Sequence, residues 1–475
     1  LGYPPSSSLR PSACPALSRI VAARDGGLCR IKLPGGKLLA RQALAIADAA
    51  DAHASGVVEL TNRSNVQLRG VKAGSEAPLS RWLSDAGLGP RIDATPSLDP
   101  VLAARQAVVA DDARNLLVSP VAGLDAEALC DTLPMAEQIL ALLQNDPRLA
   151  ELSPKFSILL DGGERLAALD HPHDVWFAAM PPPNGTIAGA WFAVGLAGQP
   201  SSHRSAALAA IRACDVAGLT RALLHTFLDL AATDENRMRD LLRSHDRHAV
   251  LAQAAARAEV DLQRGSDMEA WQRTPADPTR RFGAFEQRNA GFWHIGGQPP
   301  LGRLDTSTLR GLAQLASTHG DDTLRVTPWQ SILLPNIAEQ AVPKVADGLR
   351  SLGLALDAHD PLARVIACAG STGCVKASAD TKADALALAR QLPAGTQAHL
   401  SGCSRSCAAA HCAPYTLLAV APARYDLYRR QAAADGERAS PTQDGAARFG
   451  ERIGEYLTIE EAAKRLREAA GVYVP

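Results

Sequence analysis

Nine cysteines occur in this 475-residue chain, and five of them crowd between Cys368 and Cys412. Four read Cys368-Ala-Gly-Ser-Thr-Gly-Cys374 and Cys403-Ser-Arg-Ser-Cys407, a C-x5-C pair and a C-x3-C pair separated by 28 residues. In a reducing compartment such crowding means metal or redox chemistry rather than disulfides. An iron–sulfur cluster needs four thiolates converging on one cuboid, and glycines and small residues between the ligands let the backbone close around it. A structural zinc usually takes C-x2-4-C pairs, which the five-residue spacer fits poorly. Unrelated buried thiols are the remaining alternative. Cys412 is then a spare, and Cys14, Cys29, Cys130 and Cys214 are scattered. Residues 375–391 read as a helix that carries the chain from one pair to the other. The step from Cys403 to Cys407 sets both on one face at the start of a second helix.

The elements around this site come from a chain that reads twice. Residues 28–71 run through Leu33-Pro34-Gly35-Gly36, a helical stretch from Leu39 to His53 and a branched, alternating run from Val57 to Val71. Residues 294–337 repeat the plan 266 positions later, pairing Pro34 with Pro300, Gly36 with Gly302, His53 with His319 and Thr61 with Thr327. That period is far too long for a solenoid, so it predicts two pseudo-symmetric halves. Between the repeats, strands are expected at Phe156–Asp161, Val175–Met180 and Gly189–Gly195, and a helix from Ala206 to about Ala231. Residues 262–282 are polar with two prolines and read as a connector.

Composition narrows the classes. The length corresponds to about three domains, and 47% hydrophobic with 21% charged residues is ordinary for a globular chain. Forty-nine basic against fifty acidic residues leave no electrostatic footprint of a general nucleic-acid binder. No apolar run approaches the roughly 18 residues that span a bilayer. The polar, proline-rich start lacks the pattern of a signal peptide, so the expectation is a cytoplasmic protein.

The cysteine spacing, the half-repeats and Leu60-Thr61-Asn62-Arg63 followed by Gln67 resemble the nitrite/sulfite reductase family, over nearly the whole chain. The resemblance implies an α+β fold of two pseudo-symmetric halves, each a ferredoxin-like unit plus a mixed α/β domain of the reductase type. The first half takes residues 10–90 and 100–260. The second takes 283–350 and, with the iron–sulfur site, 361–475. It further implies a 4Fe-4S cluster on Cys368, Cys374, Cys403 and Cys407, the last of which also bridges to a siroheme iron in the reductases. Arg30 and Lys32, ahead of Leu33-Pro34-Gly35-Gly36, match a basic pair of the family, and Arg63 matches the arginine of its Thr-x-Arg motif. Arg114 matches an arginine near the bound anion. Lys155 matches the first lysine of a Pro-Arg-Lys-Phe-Lys motif whose second lysine is Ser157 here. In the reductases these cations hold the siroheme carboxylates and a small anionic substrate, so the missing lysine weighs against sulfite or nitrite.

Within the family, Arg10–Pro15, Cys29–Gly36, Asp170–Trp176 and Gly296-Gly297 resemble the precorrin-3B synthase branch, the oxygen-dependent monooxygenases of aerobic cobalamin synthesis. That likeness implies precorrin-3A, O2 and an NADH-linked electron donor as partners, and neither nucleic acid nor a membrane. Arg30, Lys32, Arg63, Arg114 and Lys155 would then clamp the carboxylates of the macrocycle. No G-x-G-x-x-G follows a strand, so a separate reductase is expected to deliver the electrons. A mononuclear non-haem iron often takes two histidines and one carboxylate. His171, His173 and Asp174 have that chemistry, although the same span reads more readily as the entry to an ordinary strand; His399 and His411 are further candidates. The alternative is a siroheme-dependent sulfite or nitrite reductase.

Overall fold

The computed structural model describes residues 14–91, 100–186, 188–200, 207–409, 413–430 and 449–471. Cys412, His411 and residues 10–13 therefore lie outside the described residues. The first segment contains β1 (Val21–Ala23), β2 (Gly26–Ile31), β3 (Lys37–Leu39), β4 (Val57–Leu60) and β5 (Val66–Val71) around the helix Ala40–His53. That helix buries Ala43, Ile46, Ala47 and Ala50 at the 3.6-residue period of one face. The middle segment supplies β6 (Leu116–Val118), β7 (Ile158–Asp161), β8 (His173–Met180), β9 (Trp191–Gly198) and β10 (Ala209–Arg212). Next come β11 (Gly283–Glu286), β12 (Phe292–Gly297), β13 (Arg303–Asp305), β14 (Thr323–Val326) and β15 (Ile332–Ala338). They surround the helix Thr306–His319, whose start is capped by the Asp305 carboxylate accepting from the Thr308 N–H at 2.7 Å. The last segment holds β16 (Val365–Ala367), β17 (Ala398–Ser401), β18 (Tyr415–Ala421), β19 (Arg424–Arg429) and β20 (Glu451–Leu457).

The 266-residue repeat is structural. Elements at 26–31, 37–39, 40–53, 57–60 and 76–85 return at 292–297, 303–305, 306–319, 323–326 and 342–351. The two copies nevertheless do not build separate sheets. β3 crosses to pair antiparallel with β14, Leu38 opposite Leu324, and β13 crosses to pair with β4, Leu304 opposite Val58. The sheet orders are therefore β1-β2-β5-β4-β13 and β11-β12-β15-β14-β3, and one apolar core serves both. Gly36 permits the crossing. Its φ is +67°, and a Cβ there would stand 2.0 Å from the Val326 carbonyl oxygen.

The two mixed sheets are also copies, ordered β10-β9-β8-β7-β6 and β16-β17-β18-β19-β20. In each, the first three strands of the chain run parallel and the remaining ones antiparallel. Three local expectations are corrected. Residues 209–212 are β10, because pairing with β9 overrides the helix preference of alanine; the helix starts only at Val216. The linking helix begins at Thr381, where the Asp380 carboxylate caps it, and not at 375. Cys403 and Cys407 lie in turns, since Ser406 takes a left-handed φ of 53° that no helix continues through. Among the described residues no helix is long and apolar enough to cross a membrane.

Candidate metal centre and cationic cleft

The ends of β16 and β17 lie side by side in parallel register, Ala367 opposite Leu400. The chain leaves β16 at Cys368, makes the short helix Gly370–Gly373 and reaches Cys374; it leaves β17 through Gly402 into Cys403 and Cys407. Two loops at the carboxyl ends of neighbouring strands thus supply all four thiols. Burial raises the Cys407 thiol pKa, and Cys403, Cys368 and Cys374 raise it further, so Cys407 lies within electrostatic reach of, and is repelled by, each of the other three. A cationic cluster relieves that repulsion. Among the described residues no three His, Cys, Asp or Glu side chains are set to hold a single metal ion.

The first half braces these loops. Arg69 donates to the Gly373 carbonyl at 2.6 Å while gripping both oxygens of Asp25. Lys382 donates to the Leu301 and Ala367 carbonyls. Buried Glu59 faces both cations, at 3.8 and 3.9 Å, and accepts from Arg303 at 2.9 Å across the exchanged strand pair. None of these four was singled out from the sequence; only the register of β4 on β13 brings them together.

The turn between β4 and β5 links the cysteines to a cleft. Thr61 Oγ1 closes the turn by accepting from the Arg63 and Asn65 N–H groups. Asn62 then donates to the Cys407 carbonyl at 3.2 Å, and Asn65 accepts from the Leu33 N–H at 2.9 Å. Arg63, between them, lines a narrow cleft with Leu33, Pro34, Asn65, Arg114, Asn115, Leu116 and Leu117. Burial lowers the Arg63 pKa to about 10 and Arg237 adds to the shift, against the pull of Asp174. Among the described residues the Arg63 side chain forms no hydrogen bond or ion pair, so an un-neutralised guanidinium faces the cleft.

The other expected cations are placed differently. Arg114 shares the cleft, but its Nη atoms go to Asp111 and to the Leu88 and Gly89 carbonyls, leaving Nε without a partner. Lys32 is buried and donates to the Asp112 carbonyl at 2.7 Å; burial moves its pKa down to about 8, opposed by Asp111 and Asp112. Arg30 lies toward the cysteines; burial lowers its pKa, against the opposing pull of Cys14 and Cys407. Lys155 is exposed, on a turn whose Pro154 and Phe156 carbonyls accept from the Asn115 amide.

The His171, His173 and Asp174 group does not share one face. His173 and Asp174 are successive residues of β8 and point to opposite sides of the sheet. Asp174 is fully engaged by the Ser157 and Met238 N–H groups and by Arg237, while His171 bonds Asp170 at 2.9 Å. His173 is buried near Arg63 and Arg237, and neither ring nitrogen has a partner among the described residues. Burial, then Arg63, holds its pKa well below the ordinary histidine value. Arg237 is a functional candidate that the sequence hid, because its proximity to Arg63 and His173 is entirely tertiary.

The pseudo-symmetric mate of this cleft is filled. Trp329 takes the place of Arg63 and is buried with Val121, Leu124, Leu166, Trp176 and Leu333, and Arg281 stacks 5.7 Å from its ring centre. Among the described residues, the first half keeps the narrow cationic cleft that its mate has lost.

Sequence comparison agrees with this architecture. The nitrite/sulfite reductase ferredoxin-like half domain matches residues 22–83 and again 285–352, and the nitrite and sulphite reductase 4Fe-4S domain matches residues 109–261. Together they cover more than half of the chain. The chain belongs to the nitrite/sulfite reductase family. The 4Fe-4S match falls on the first mixed sheet, and the shared strand order makes the cysteine-bearing sheet its second copy. A precorrin-3B synthase of Sinorhizobium sp is 26% identical over 94% of this chain and 89% of that protein. The ferredoxin–nitrite reductase of Synechococcus elongatus is 28% identical over 80% of this chain and 73% of its own length, and that of Zea mays is 26% identical over 80% and 67%. The solved structure of the Mycobacterium tuberculosis NirA protein superposes with a TM-score of 0.70 at 19% identity, covering 92% of this chain and 79% of that one. Membership makes the chain an oxidoreductase with an iron–sulfur cluster. The four thiols at the β16 and β17 ends, with Cys407 in electrostatic reach of the other three, have the donor chemistry for that group.

Proposed function

We propose that the chain is a precorrin-3B synthase, a monooxygenase that uses O2 and NADH-derived electrons to hydroxylate precorrin-3A and close a lactone from a ring acetate. The observation that carries this reading is the un-neutralised Arg63 side chain, in a narrow cleft next to the turn that bonds the Cys407 carbonyl, a cation able to meet one carboxylate of a macrocycle. Two further facts favour it over reduction of a small anion. Ser157 stands where the reductases carry a second lysine, and it is buried with its N–H on Asp174, so no side chain there replaces the lost cation. The precorrin-3B synthase is also matched over more of its own length than the nitrite reductases of maize and Synechococcus are.

In this reading Cys368, Cys374, Cys403 and Cys407 hold a 4Fe-4S cluster, which supplies electrons singly. Arg63 binds a substrate carboxylate, and Arg114, held by Asp111, lines the same cleft. Arg30, within electrostatic reach of Cys407, and the exposed Lys155 would meet further substrate carboxylates, and Lys32 holds the Asp112 backbone next to Arg114. One oxygen atom enters the macrocycle; the other leaves as water with two electrons from the donor and two protons. The domains at 10–90, 100–260, 283–350 and 361–475 are proposed as the units that carry these roles.

The second reading, a siroheme-dependent sulfite or nitrite reductase, is supported by ferredoxin–nitrite reductases at comparable identity. Arg63→Gln tests the proposal. A charge-assisted hydrogen bond is worth about 1.5–3 kcal/mol, so precorrin-3A binding should weaken at least about tenfold with iron and sulfide content unchanged. Unaltered precorrin-3A binding in that variant, together with sulfite or nitrite reduction by the parent protein given artificial electrons, would favour the reductase.

A further inference from the structure

We propose that Thr381 sets the reduction potential of the cluster by hydrogen bonding to Cys368. This rests on the assignment of the cluster to Cys368, Cys374, Cys403 and Cys407. Thr381 is fully buried at the first turn of the helix Thr381–Ala389, with Oγ1 3.0 Å from the Cys368 carbonyl oxygen and 3.4 Å from Cys368 Sγ. The Gly402 N–H donates to the same sulfur at 3.2 Å. Among the described residues the other three sulfurs of the set have no such donors, so the Cys368 corner is singled out. The contact is built into the loop: Gly370 has a φ of +68°, and a Cβ there would crowd the Thr381 nitrogen at 2.7 Å and its hydroxyl at 3.0 Å.

A hydroxyl has one proton to give. Opposite a protonated thiol, the S–H serves Oγ1 and the O–H serves the carbonyl. Opposite a metal-ligating thiolate, the sulfur carries charge and no proton, becomes the stronger acceptor, and draws the O–H to itself. Donation to a ligand sulfur favours the more negative, reduced cluster and raises its potential. Thr381 is therefore a positioning residue that eases reduction of the cluster by its donor.

The test is a potentiometric titration of the cluster-loaded protein, followed by visible absorbance, in the Thr381→Val, Thr381→Ala and Thr381→Ser variants. With iron and sulfide unchanged, Val and Ala should lower the reduced fraction about tenfold at fixed ambient potential, about 59 mV for a one-electron couple, and Ser should restore the parent value. Parent potential in a fully loaded Val or Ala variant overturns the proposal. So does loss of iron in both when Ser retains it, because the hydroxyl would then hold the loop rather than tune it. A Cys368→Ser protein that keeps its full cluster and potential would instead overturn the ligand assignment itself.

Discussion

Adding one methyl group at Gly402 should release the cluster. Its Cβ would sit 2.5 Å from Ala377 Cβ, 3.2 Å from Ala377 Cα and 3.3 Å from Cys368 Sγ. Carbon atoms in ordinary contact stand about 3.5–4.0 Å apart, so the loop must move by about 1 Å. Ala377 cannot rotate away: its N–H bonds the Cys374 carbonyl at 3.2 Å, and the next N–H, of Ser378, bonds the Gly402 carbonyl at 2.9 Å. Overpacking of this kind costs about 1–3 kcal/mol, and the movement also carries the Gly402 N–H off Cys368 Sγ. At about 1.4 kcal/mol per factor of ten, Gly402→Ala should bind the cluster about five- to a hundredfold more weakly. Iron and acid-labile sulfide per chain, counted after a fixed chelator challenge, measure this. Gly218→Ala, where nothing lies within 4 Å of the added carbon, is the control and should behave as the parent. Full retention of iron and sulfide by Gly402→Ala would refute the placement of the cluster against β17.

Other consequences are equally direct. Serine at Cys368, Cys374, Cys403 or Cys407 should abolish the brown absorbance, whereas serine at Cys14, Cys130 or Cys214 should leave it; bleaching confined to Cys412→Ser would refute the ligand set. Lys32 makes stability pH-dependent. Below pH 8 it is charged in both folded and unfolded chains, and the fold carries the cost of burying the charge. Between about 8 and 10.5 the unfolded chain still binds the proton that the native one has shed, so stability rises with pH through that window. Lys32→Met should remove this rise, worth about 3 kcal/mol at about 1.36 per unit, in denaturant midpoints measured across the interval; a parent-like slope would exclude Lys32 as its source. Trp329→Ala should cost about 3–5 kcal/mol by opening a cavity in the filled mate of the cleft, seen as a lowered melting temperature, with the cluster absorbance intact. Loss of the absorbance would mean that this mate is coupled to the cysteine site.

Much of this architecture was legible as pattern. The 266-residue register, read from a few identities such as Pro34 with Pro300 and His53 with His319, recurs element by element because each copy needs the same strand–helix–strand unit to bury the same face. The exchange of β3 and β13 was not legible. Three-residue strands carry no period, and only Gly36, whose left-handed backbone passes against Val326, marks the crossing. Local propensity misled at Ala209–Arg212, where pairing at a sheet edge decides, and at Cys403–Cys407, where Ser406 turns the chain. The basic residues were visible as a set, but their partners were not. Asp111 with the Leu88 and Gly89 carbonyls occupies Arg114, and the Asp112 carbonyl fixes Lys32, while among the described residues the Arg63 side chain has no ion-pair partner in the cleft. Arg303 and Lys382 lie more than 230 residues beyond Glu59 and Arg69, so nothing short of the fold could join the four.

The most direct test of the central claim is to incubate the purified, cluster-loaded protein with precorrin-3A, a reductant and isotopically heavy oxygen gas, and to weigh the product by mass spectrometry. The account predicts a product carrying one labelled oxygen atom, formed only when O2 is present. Unlabelled or unchanged precorrin-3A, from a protein that shows an intense Soret band and reduces sulfite or nitrite, would contradict it.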